Sequence, residues 1–292
     1  MKNTFLISSF LTVFSGILLI PTNAQADEMV NCLLARNQGI ISPNCAKVLG
    51  LSAPDSKQEP SDNGGIHLKS TLHYQPVPEA LAKDSIVGLT LGMSMVDATN
   101  AMKTYCKDNP HITYTSLEMK YKGVFIQTQL YPHILECRLG NDSLKVHISP
   151  PVMGNIVTEI NRNVSFDADA SPRFAELKTD IDNKYGVNLL PVTESKNSSE
   201  VTVVADANGM ITTTPKKPFI RALDNPSYNG PGEIAYLTIV INSVNNNPSN
   251  VSHINLKLED LRAKRNISNE VIKQLKASVN SKLENNNIKP AL

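Results

Sequence analysis

The sequence predicts an α+β fold in which an antiparallel sheet carries helices packed on one of its faces. Two observations lead to this fold class. Segments with a helical period are few, and runs of short, β-rich segments fill the intervals between them. The order is therefore helix, several strands, helix, more strands, helix, which differs from the one-by-one alternation of a doubly wound parallel sheet.

The first 26 residues have the layout of a secretory signal peptide. Lys2 provides a positive start, an apolar run extends from Phe5 to Ile20, and Ala24 and Ala26 place small residues before a cleavage point. The run is shorter than the roughly 18–20 residues that a membrane span needs. We therefore expect cleavage near Ala26 and a mature protein without a transmembrane segment, either periplasmic or secreted. The alternative is an uncleaved N-terminal anchor.

The mature chain has no excess of either charge. The whole sequence contains 28 Lys and Arg against 27 Asp and Glu, and Lys2 is the one charged residue of the signal segment. A neutral balance argues against nucleic acid or acidic lipid as a dedicated partner, although it leaves room for a local basic patch.

Four cysteines follow the signal segment, and in an oxidising compartment they indicate two disulfide bonds. Four cysteines allow three pairings. We expect Cys32–Cys45 and Cys106–Cys137, because each of these pairs falls within one local module. The alternative is a metal site or a reactive thiol, and no Cys-x-x-Cys spacing supports it.

Residues 27–50 predict a small helical hairpin that the first disulfide would hold together. Asp27 can cap the first helix and Gly39 can end it, while Pro43 suits the first turn of the second helix. Residues 51–83 are rich in proline, glycine and polar residues and show no period, so we expect a flexible linker there.

The main domain is expected over residues 84–284, followed by a disordered tail over 285–292. Short alternating or β-branched runs, separated by turn residues, predict the strands of its sheet. The predicted strands are Ile112–Met119, Gly123–Tyr131, Ile134–Leu139, Leu144–Ile148, Val152–Phe166, Val201–Ala205, Met210–Thr214, Glu233–Ser243 and His253–Leu258.

Three helices accompany these strands. The first begins at a capping box formed by Ser94 and Asp97. The second follows Ser171-Pro172 and ends at Gly186, and the third extends over Ser268–Leu283.

The same order of elements occurs twice in the main domain: an extended segment, a capped helix and then strands. The two runs begin near Ile86 and near Val152. They suggest a diverged duplication, although no residue pattern repeats between them.

Two stretches of the main domain carry a family resemblance. The first is Ile86–Ser94 with the helix after it, and the second runs from Ile148-Ser149-Pro150-Pro151 through Val157–Arg162 to Lys184-Tyr185-Gly186. Together they resemble an uncharacterised family of exported proteobacterial proteins, which implies an envelope location and no known activity. The lead-in and helix also look like the small lipoproteins of the outer-membrane β-barrel assembly machine, which are non-catalytic helix-on-sheet modules. This chain differs from them because it lacks a lipidated cysteine and is much longer.

The sequence contains no recognisable catalytic, cofactor-binding or metal-binding motif. The glycines before the first helix lack the dinucleotide-binding spacing, and neither a phosphate loop nor a Gly-x-Ser-x-Gly elbow occurs. The histidines are scattered and form no His-x-x-x-His pair on a helix.

Two arginines are candidates for an anion or partner contact. Arg162 and Arg173 flank the loop that contains Asp167 and Asp169, and together they could bind a carboxylate or phosphate through paired hydrogen bonds. The alternative is an exposed ion pair with one of these two aspartates.

The sequence therefore predicts a non-catalytic exported protein that acts as a protein-binding or scaffolding module of the bacterial cell envelope, with its sheet or edge strands contacting an envelope protein. The alternative is a periplasmic small-molecule-binding protein or hydrolase with a site between sheet and helices. A deep pocket with convergent polar groups would favour the alternative. An exposed apolar or unpaired-edge surface would favour the binding module.

Overall fold

The computed structural model describes residues 65–82, 84–167, 169–189, 197–209, 211–214, 233–244 and 247–285. The predicted signal peptide, the predicted hairpin with Cys32 and Cys45, the first part of the predicted linker and residues 286–292 lie outside these ranges.

The described residues form one large antiparallel sheet and a separate hairpin, so the α+β class is confirmed. The large sheet has eight strands in the order β1-β4-β5-β6-β10-β9-β7-β8, and every neighbouring pair is antiparallel. Among the described strands, β2 and β3 pair with each other alone, and Ile66 forms an isolated parallel bridge with Thr128 just after β3. The strands are β1 His111–Thr115, β2 Glu118–Tyr121, β3 Val124–Gln127, β4 Tyr131–Leu139, β5 Asp142–Ile148, β6 Val157–Ser165, β7 Ser198–Asp206, β8 Ile211–Thr214, β9 Glu233–Val244 and β10 Asn247–Asp260.

The helices are α1 Glu79–Ala82, α2 Met95–Cys106, α3 Phe174–Tyr185 and α4 Leu261–Asn285, with a 3-10 turn at Pro151–Met153. Helix α4 begins earlier than the predicted Ser268. Its start is fixed by Asp260, the last residue of β10, whose side chain accepts a 2.7 Å hydrogen bond from the backbone N–H of Ala263. Because the capping residue belongs to a strand, the sequence pattern concealed this helix start.

One face of the sheet is apolar and packs against α2 and α3. Its buried side chains include Leu135, Leu144, Val146, Ile160, Leu237, Ile239, Ile254, Leu256 and Leu258. Helix α2 contributes Ala98 and Met102 to the same core, and α3 contributes Phe174, Ile181 and Tyr185. Each fully buried aliphatic side chain is worth about 1.5–3 kcal/mol, so this layer supplies much of the driving force for folding.

Helix α4 lies against the opposite face of the sheet. Its buried side chains join a separate cluster with Tyr131 and Met153, and Leu261 packs on Tyr236. Tyr236 points away from Leu237 because successive strand side chains alternate between faces. The prediction that the helices pack on one face therefore holds for α2 and α3 and is wrong for α4.

The two halves of the sheet share one plan. Within the large sheet, helix α2 is followed by β1, β4, β5 and β6, and helix α3 is followed by β7, β8, β9 and β10. The edge strand is the first of the four in one half (β1) and the second in the other (β8). Both helices have 12 residues. The last strands of the two halves, β6 and β10, pair antiparallel at the centre of the sheet.

Matching backbone contacts identify equivalent positions in the two halves. Ser94 before α2 bridges Ile156, and Arg173 before α3 bridges Asn250. One residue further along the strand in each half, the N–H of Val157 donates to the carbonyl of Met93 (2.8 Å) and the N–H of Val251 donates to the carbonyl of Pro172 (3.0 Å). The halves thus repeat the same docking of a helix start onto a final strand, and the stretch from Val152 in which the sequence suggested a second copy is the final strand of the first half.

Residues 65–78 form an extended strap along α4. The backbone N–H of Lys69 donates to Gln274 Oε1 (2.9 Å), and near the helix start Arg262 Nη2 donates to the carbonyl of Gln75 (2.6 Å). This part of the predicted linker is therefore tied to the body of the protein by specific contacts.

The predicted disulfide Cys106–Cys137 is present. It joins the last residue of α2 to β4, with the two Cα atoms 6.2 Å apart. The other predicted pair lies outside the described residues.

Candidate binding face of the sheet

The face of the sheet opposite α2 and α3, hereafter the polar face, is built of three side-chain rows that cross β4, β5, β6, β10 and β9. The rows are Arg138–Ser143–Asn163–Asn255–Val240, Glu136–Lys145–Asn161–Lys257–Thr238 and Ile134–His147–Glu159–Glu259–Tyr236. The first two rows are half-buried or exposed except for Thr238, and we call them the open rows. In the third row Glu159, Glu259 and Tyr236 are buried.

Three asparagines at the centre of the open rows hold one another in place. Asn255 Nδ2 donates to Asn161 Oδ1 (2.9 Å) and to Asn163 Oδ1 (2.6 Å), and Asn163 Nδ2 donates to Asn161 Oδ1 (3.2 Å). Three amide groups have more donors and acceptors than these bonds use. The mutual bonds fix the orientation of the three side chains.

A charged cluster occupies the third row beneath the start of α4. Lys264 of α4 pairs with the carboxylates of both Glu159 and Glu259. Lys257 Nζ lies 2.7 Å from Glu259 and 3.5 Å from Glu159, and the Tyr236 hydroxyl donates to Glu259. Two ammonium groups therefore balance two carboxylates, and the cluster anchors α4 on the sheet.

The cluster stays ionised over a wide pH range. Burial alone would raise the pKa of Glu259, but the ammonium groups of Lys264 and Lys257 outweigh burial and lower this pKa to about 2. The same balance lowers the pKa of Glu159. Burial opposes the charge of Lys264, yet the two carboxylates raise its pKa. The charged groups of the cluster thus keep one another ionised, which fits a structural role.

Two histidines that the sequence showed as scattered are neighbours in the structure. The rings of His133 and His147 are 5.3 Å apart and nearly perpendicular. His133 is the extra residue of a β-bulge, since Thr113 pairs with Ile134 and Tyr114 with Pro132. The sequence shows no pattern that indicates a bulge in β4, and for this reason it did not reveal the contact between His133 and His147.

Acid is expected to destabilise the protein through His147. Burial lowers the pKa of His147 from 6.5 to about 4, and its neighbours are Glu159, Lys264, His133 and Lys145. Between pH 6.5 and pH 4 the unfolded chain therefore binds more protons at this position than the folded protein does, so stability falls as the pH falls. The expected loss is about 1 kcal/mol between pH 6 and pH 5.

Urea unfolding at a series of pH values measures this loss. The variant His147→Gln is expected to have a flatter pH profile between pH 6.5 and pH 4, whereas His111→Gln on the exposed edge strand keeps the original slope. Equal slopes in the unchanged protein and His147→Gln would contradict the assignment.

The structure separates the two candidate arginines. Arg162 lies on the apolar face, where Nη2 is 2.7 Å from Asp142 Oδ2 and donates to the Tyr105 hydroxyl at 3.0 Å. Burial opposes its charge, but the bond to Asp142 raises its pKa. The ion-pair partner of Arg162 is thus Asp142, in place of the alternatives Asp167 and Asp169, and the Asp167 carboxylate accepts from Asn141 Nδ2 at 3.3 Å.

Arg173, by contrast, is an exposed residue at the start of α3. The guanidinium of Arg162 is therefore engaged within the protein, and an anion or partner contact by the two arginines stays a prediction.

Replacing Arg162 by leucine is expected to cost about 2–3 kcal/mol of stability, because Asp142 would remain partly buried without its cation. Arg173→Leu, at an exposed position, is expected to change stability by less than about 0.5 kcal/mol. Denaturant unfolding of the two variants checks this difference. An Arg162→Leu protein as stable as Arg173→Leu would contradict a structural role for Arg162.

One depression of about 700 Å³ lies outside α2, bordered by the Val87–Gly88 turn, Tyr105, Lys107 and Leu139. The space between the sheet and α2 and α3 is filled by the buried side chains of the apolar face. Within the described part of the chain, no observation therefore favours a ligand site between sheet and helices.

No known protein family, curated protein or solved structure matches the chain. Among the residues that the structure covers, no group of three or more His, Cys, Asp or Glu side chains could hold a metal ion. None of the helices in those same residues is long and apolar enough to cross a membrane. The geometry of the site is therefore the basis for a function.

Proposed function

We propose that the protein is a non-catalytic, protein-binding module of the bacterial cell envelope, exported by its signal peptide, and that an envelope protein binds the open rows of the polar face. The observation that carries this proposal is the continuity of the open rows. Half-buried or exposed polar side chains cross β4, β5, β6 and β10, and the rows end on β9 at Val240 and the buried Thr238. At ordinary strand spacing they span about 20 Å.

The side chains of the open rows suit a polar partner surface. The asparagine cluster offers fixed amide donors and acceptors, and the charges around it are of both signs: Lys145 and Glu136 are 3.7 Å apart. Hydrogen bonds to oriented groups favour one docking geometry at little cost in side-chain ordering. We expect a partner that contributes polar and uncharged groups at this position.

The edges of the sheet are poorer candidates for recruiting a partner. At one edge of the sheet formed by the described residues, β1 has five residues and faces the bulge in β4; at the other, the described strand β8 has four residues. Short and bulged edge strands resist the addition of a further strand. This is why we assign binding to the polar face, although the sequence allowed either the sheet or its edge strands.

The experiment uses the full chain with its own signal segment in a Gram-negative host. Intact cells are cross-linked, the protein is purified, and co-purifying proteins are identified. The test variant is Asn163→Arg in an open row, and the matched control is Asn183→Arg on the exposed side of α3. Thermal unfolding confirms that both variants are folded.

The proposal predicts one or a few enriched envelope proteins with the unchanged chain and with Asn183→Arg, and their loss with Asn163→Arg. Capture of the same proteins by both variants would place the binding surface elsewhere. A chain that captures no envelope protein would contradict the proposed function, and ligand screening by thermal shift would then test the alternative.

A further inference from the structure

The start of α4, residues 261–266, lies over the third row of the polar face. Lys264 pairs with the carboxylates of Glu159 and Glu259, and Leu261 packs on Tyr236. Glu159, Glu259 and Tyr236 are consecutive members of that row on β6, β10 and β9. The helix start therefore covers this part of the row, whereas the open rows beside it are half-buried or exposed.

Lys264 is the charged group that α4 contributes to the cluster, and the other three belong to β6 and β10. Its attraction to Glu159 and Glu259 therefore acts between the helix and the sheet. With Lys257 the cluster contains two ammonium groups and two carboxylates, so it has no net charge. A further positive charge beside Lys264 would weaken the hold of the sheet on the helix start.

The paired histidines adjoin the cluster and can supply that charge. His147 Nε2 lies 3.8 Å from Glu159 Oε1, and the ring centres of His147 and His133 are 5.3 Å apart. The His147 side chain is 25% exposed, so protons from the solvent reach it. Apart from each other, the charged groups that face the two rings are Glu159 of β6, Lys264 of α4 and Lys145 of β5, with Glu259 and Lys257 of β10 beyond Glu159.

The apolar contacts of α4 are separate from the main core. Ala263 and Ile267 pack in a cluster with Tyr131 and Met153, whereas α2 and α3 pack on the apolar face. An element with its own small cluster can open at a lower free energy than the whole protein. The start of α4 can thus leave the sheet while the main core stays folded.

We propose that the start of α4 is an acid-sensitive latch, in which protonation of His147 and His133 places positive charge beside Lys264 and favours an open state with the third row uncovered. Because the third row adjoins the open rows, opening enlarges the polar face from two rows to three. The latch thus regulates the face to which we assign partner binding, and in that consequence it rests on the proposed function.

The direction of the pH dependence follows from the two histidines. Burial lowers the pKa of both, and that of His147 to about 4. In the open state the ring is hydrated and its pKa returns towards 6.5, so the open state binds more protons between pH 6.5 and pH 4. The population of the open state therefore rises as the pH falls.

The carboxyl groups at the latch act mainly at lower pH. The ammonium groups outweigh burial and lower the pKa of Glu159 and Glu259, so protonation of these two also favours opening. Asp260 acts in the opposite direction, because burial raises its pKa. The range from pH 7 to pH 5 is therefore the one in which the histidines are best tested.

Hydrogen exchange of the purified mature chain at pH 7, 6 and 5 tests the latch. Mass spectrometry follows residues 261–270 of α4 and, as a core reference, residues 233–244 of β9. Each rate is divided by the intrinsic rate of an unfolded chain at the same pH, so that it reports the population of the open state. The variants are His147→Gln, the double variant His133→Gln/His147→Gln and, as a control on the exposed edge strand, His111→Gln. Thermal unfolding at pH 7 confirms that all three are folded.

The start of α4 is expected to be less protected than β9 at every pH. From pH 7 to pH 5 its open population should rise about 20-fold, because one histidine changes its pKa from about 4 to 6.5 on opening. The rise should be much smaller in His147→Gln, nearly absent in the double variant and unchanged in His111→Gln.

Equal protection of α4 and β9 at every pH would overturn the proposal, because the helix would then open only with the whole protein. A rise of the same size in the double variant and the unchanged chain would overturn it as well. The purified chain contains no partner, so failure of the latch is distinguishable from failure of the protein-binding proposal.

Discussion

Replacing Lys264 by methionine is expected to lower the free energy of unfolding by about 3–4 kcal/mol at pH 7, because it leaves two buried carboxylates facing one remaining ammonium group. The Glu159 and Glu259 side chains are 9% and 3% exposed, whereas that of Lys264 is 37% exposed. Because the two carboxylates are more deeply buried than the lysine, most of the loss of stability comes from leaving them in place without its positive charge. Denaturant unfolding measures the change.

The control for this prediction is Lys273→Met on the same helix. Lys273 is paired with Glu270, but its side chain is 77% exposed, so its loss should cost well under 1 kcal/mol. Acid provides a second check. Without Lys264 the carboxylates of Glu159 and Glu259 take up protons at higher pH, so the deficit of Lys264→Met should shrink between pH 7 and pH 5. Equal stability of the two variants at pH 7 would contradict the role given to the cluster.

Removing the disulfide with the double variant Cys106→Ala/Cys137→Ala is expected to cost about 3–4 kcal/mol, since the bond closes a loop with a sequence separation of 31. The closed loop restricts the unfolded chain, and it contains β1 and the β2–β3 hairpin. Denaturant unfolding of the oxidised parent and the double variant gives the difference.

Treatment of the parent with a reductant provides a second comparison for the Cys106–Cys137 bond. Reduction should lower the stability of the parent by at least the deficit of the double variant. The double variant Cys106→Ala/Cys137→Ala has no Cys106–Cys137 bond left to reduce. A double variant within about 1 kcal/mol of the oxidised parent would contradict the contribution given to this loop.

Local signals in the sequence predicted the start of α2 and the end of α3. Ser94 caps α2, with the N–H of Asp97 donating to Ser94 Oγ at 3.1 Å and the Ser94 hydroxyl donating to Asp97 Oδ2 at 2.7 Å, and Gly186 ends α3 in the left-handed conformation that glycine favours. Such signals depend on residues a few positions apart. The start of α4 was missed because its cap, Asp260, is also the end of a strand.

The candidate site depends on distant residues, and for that reason the sequence did not predict it. Lys264 and Glu159 are about a hundred positions apart, and only the pairing of β6 with β10 brings Glu259 beside them. The available signal was the alternation Glu159, Asn161, Asn163 along β6, which indicates a polar side on an interior strand.

The shared backbone contacts of the two halves left no repeated residue pattern in the sequence. The two halves repeat backbone hydrogen bonds at Val157 and Val251, and backbone bonds require no particular side chains.

The most direct test of the central claim, that a partner binds the open rows of the polar face, is site-specific photo-cross-linking in the native host. A photoreactive amino acid replaces Asn163 in one strain and Asn183 of α3 in the other. Irradiation should give a defined adduct with an envelope protein from position 163 and none from position 183. Adducts from both positions, or from position 183 alone, would contradict the account, as would the absence of any adduct from position 163.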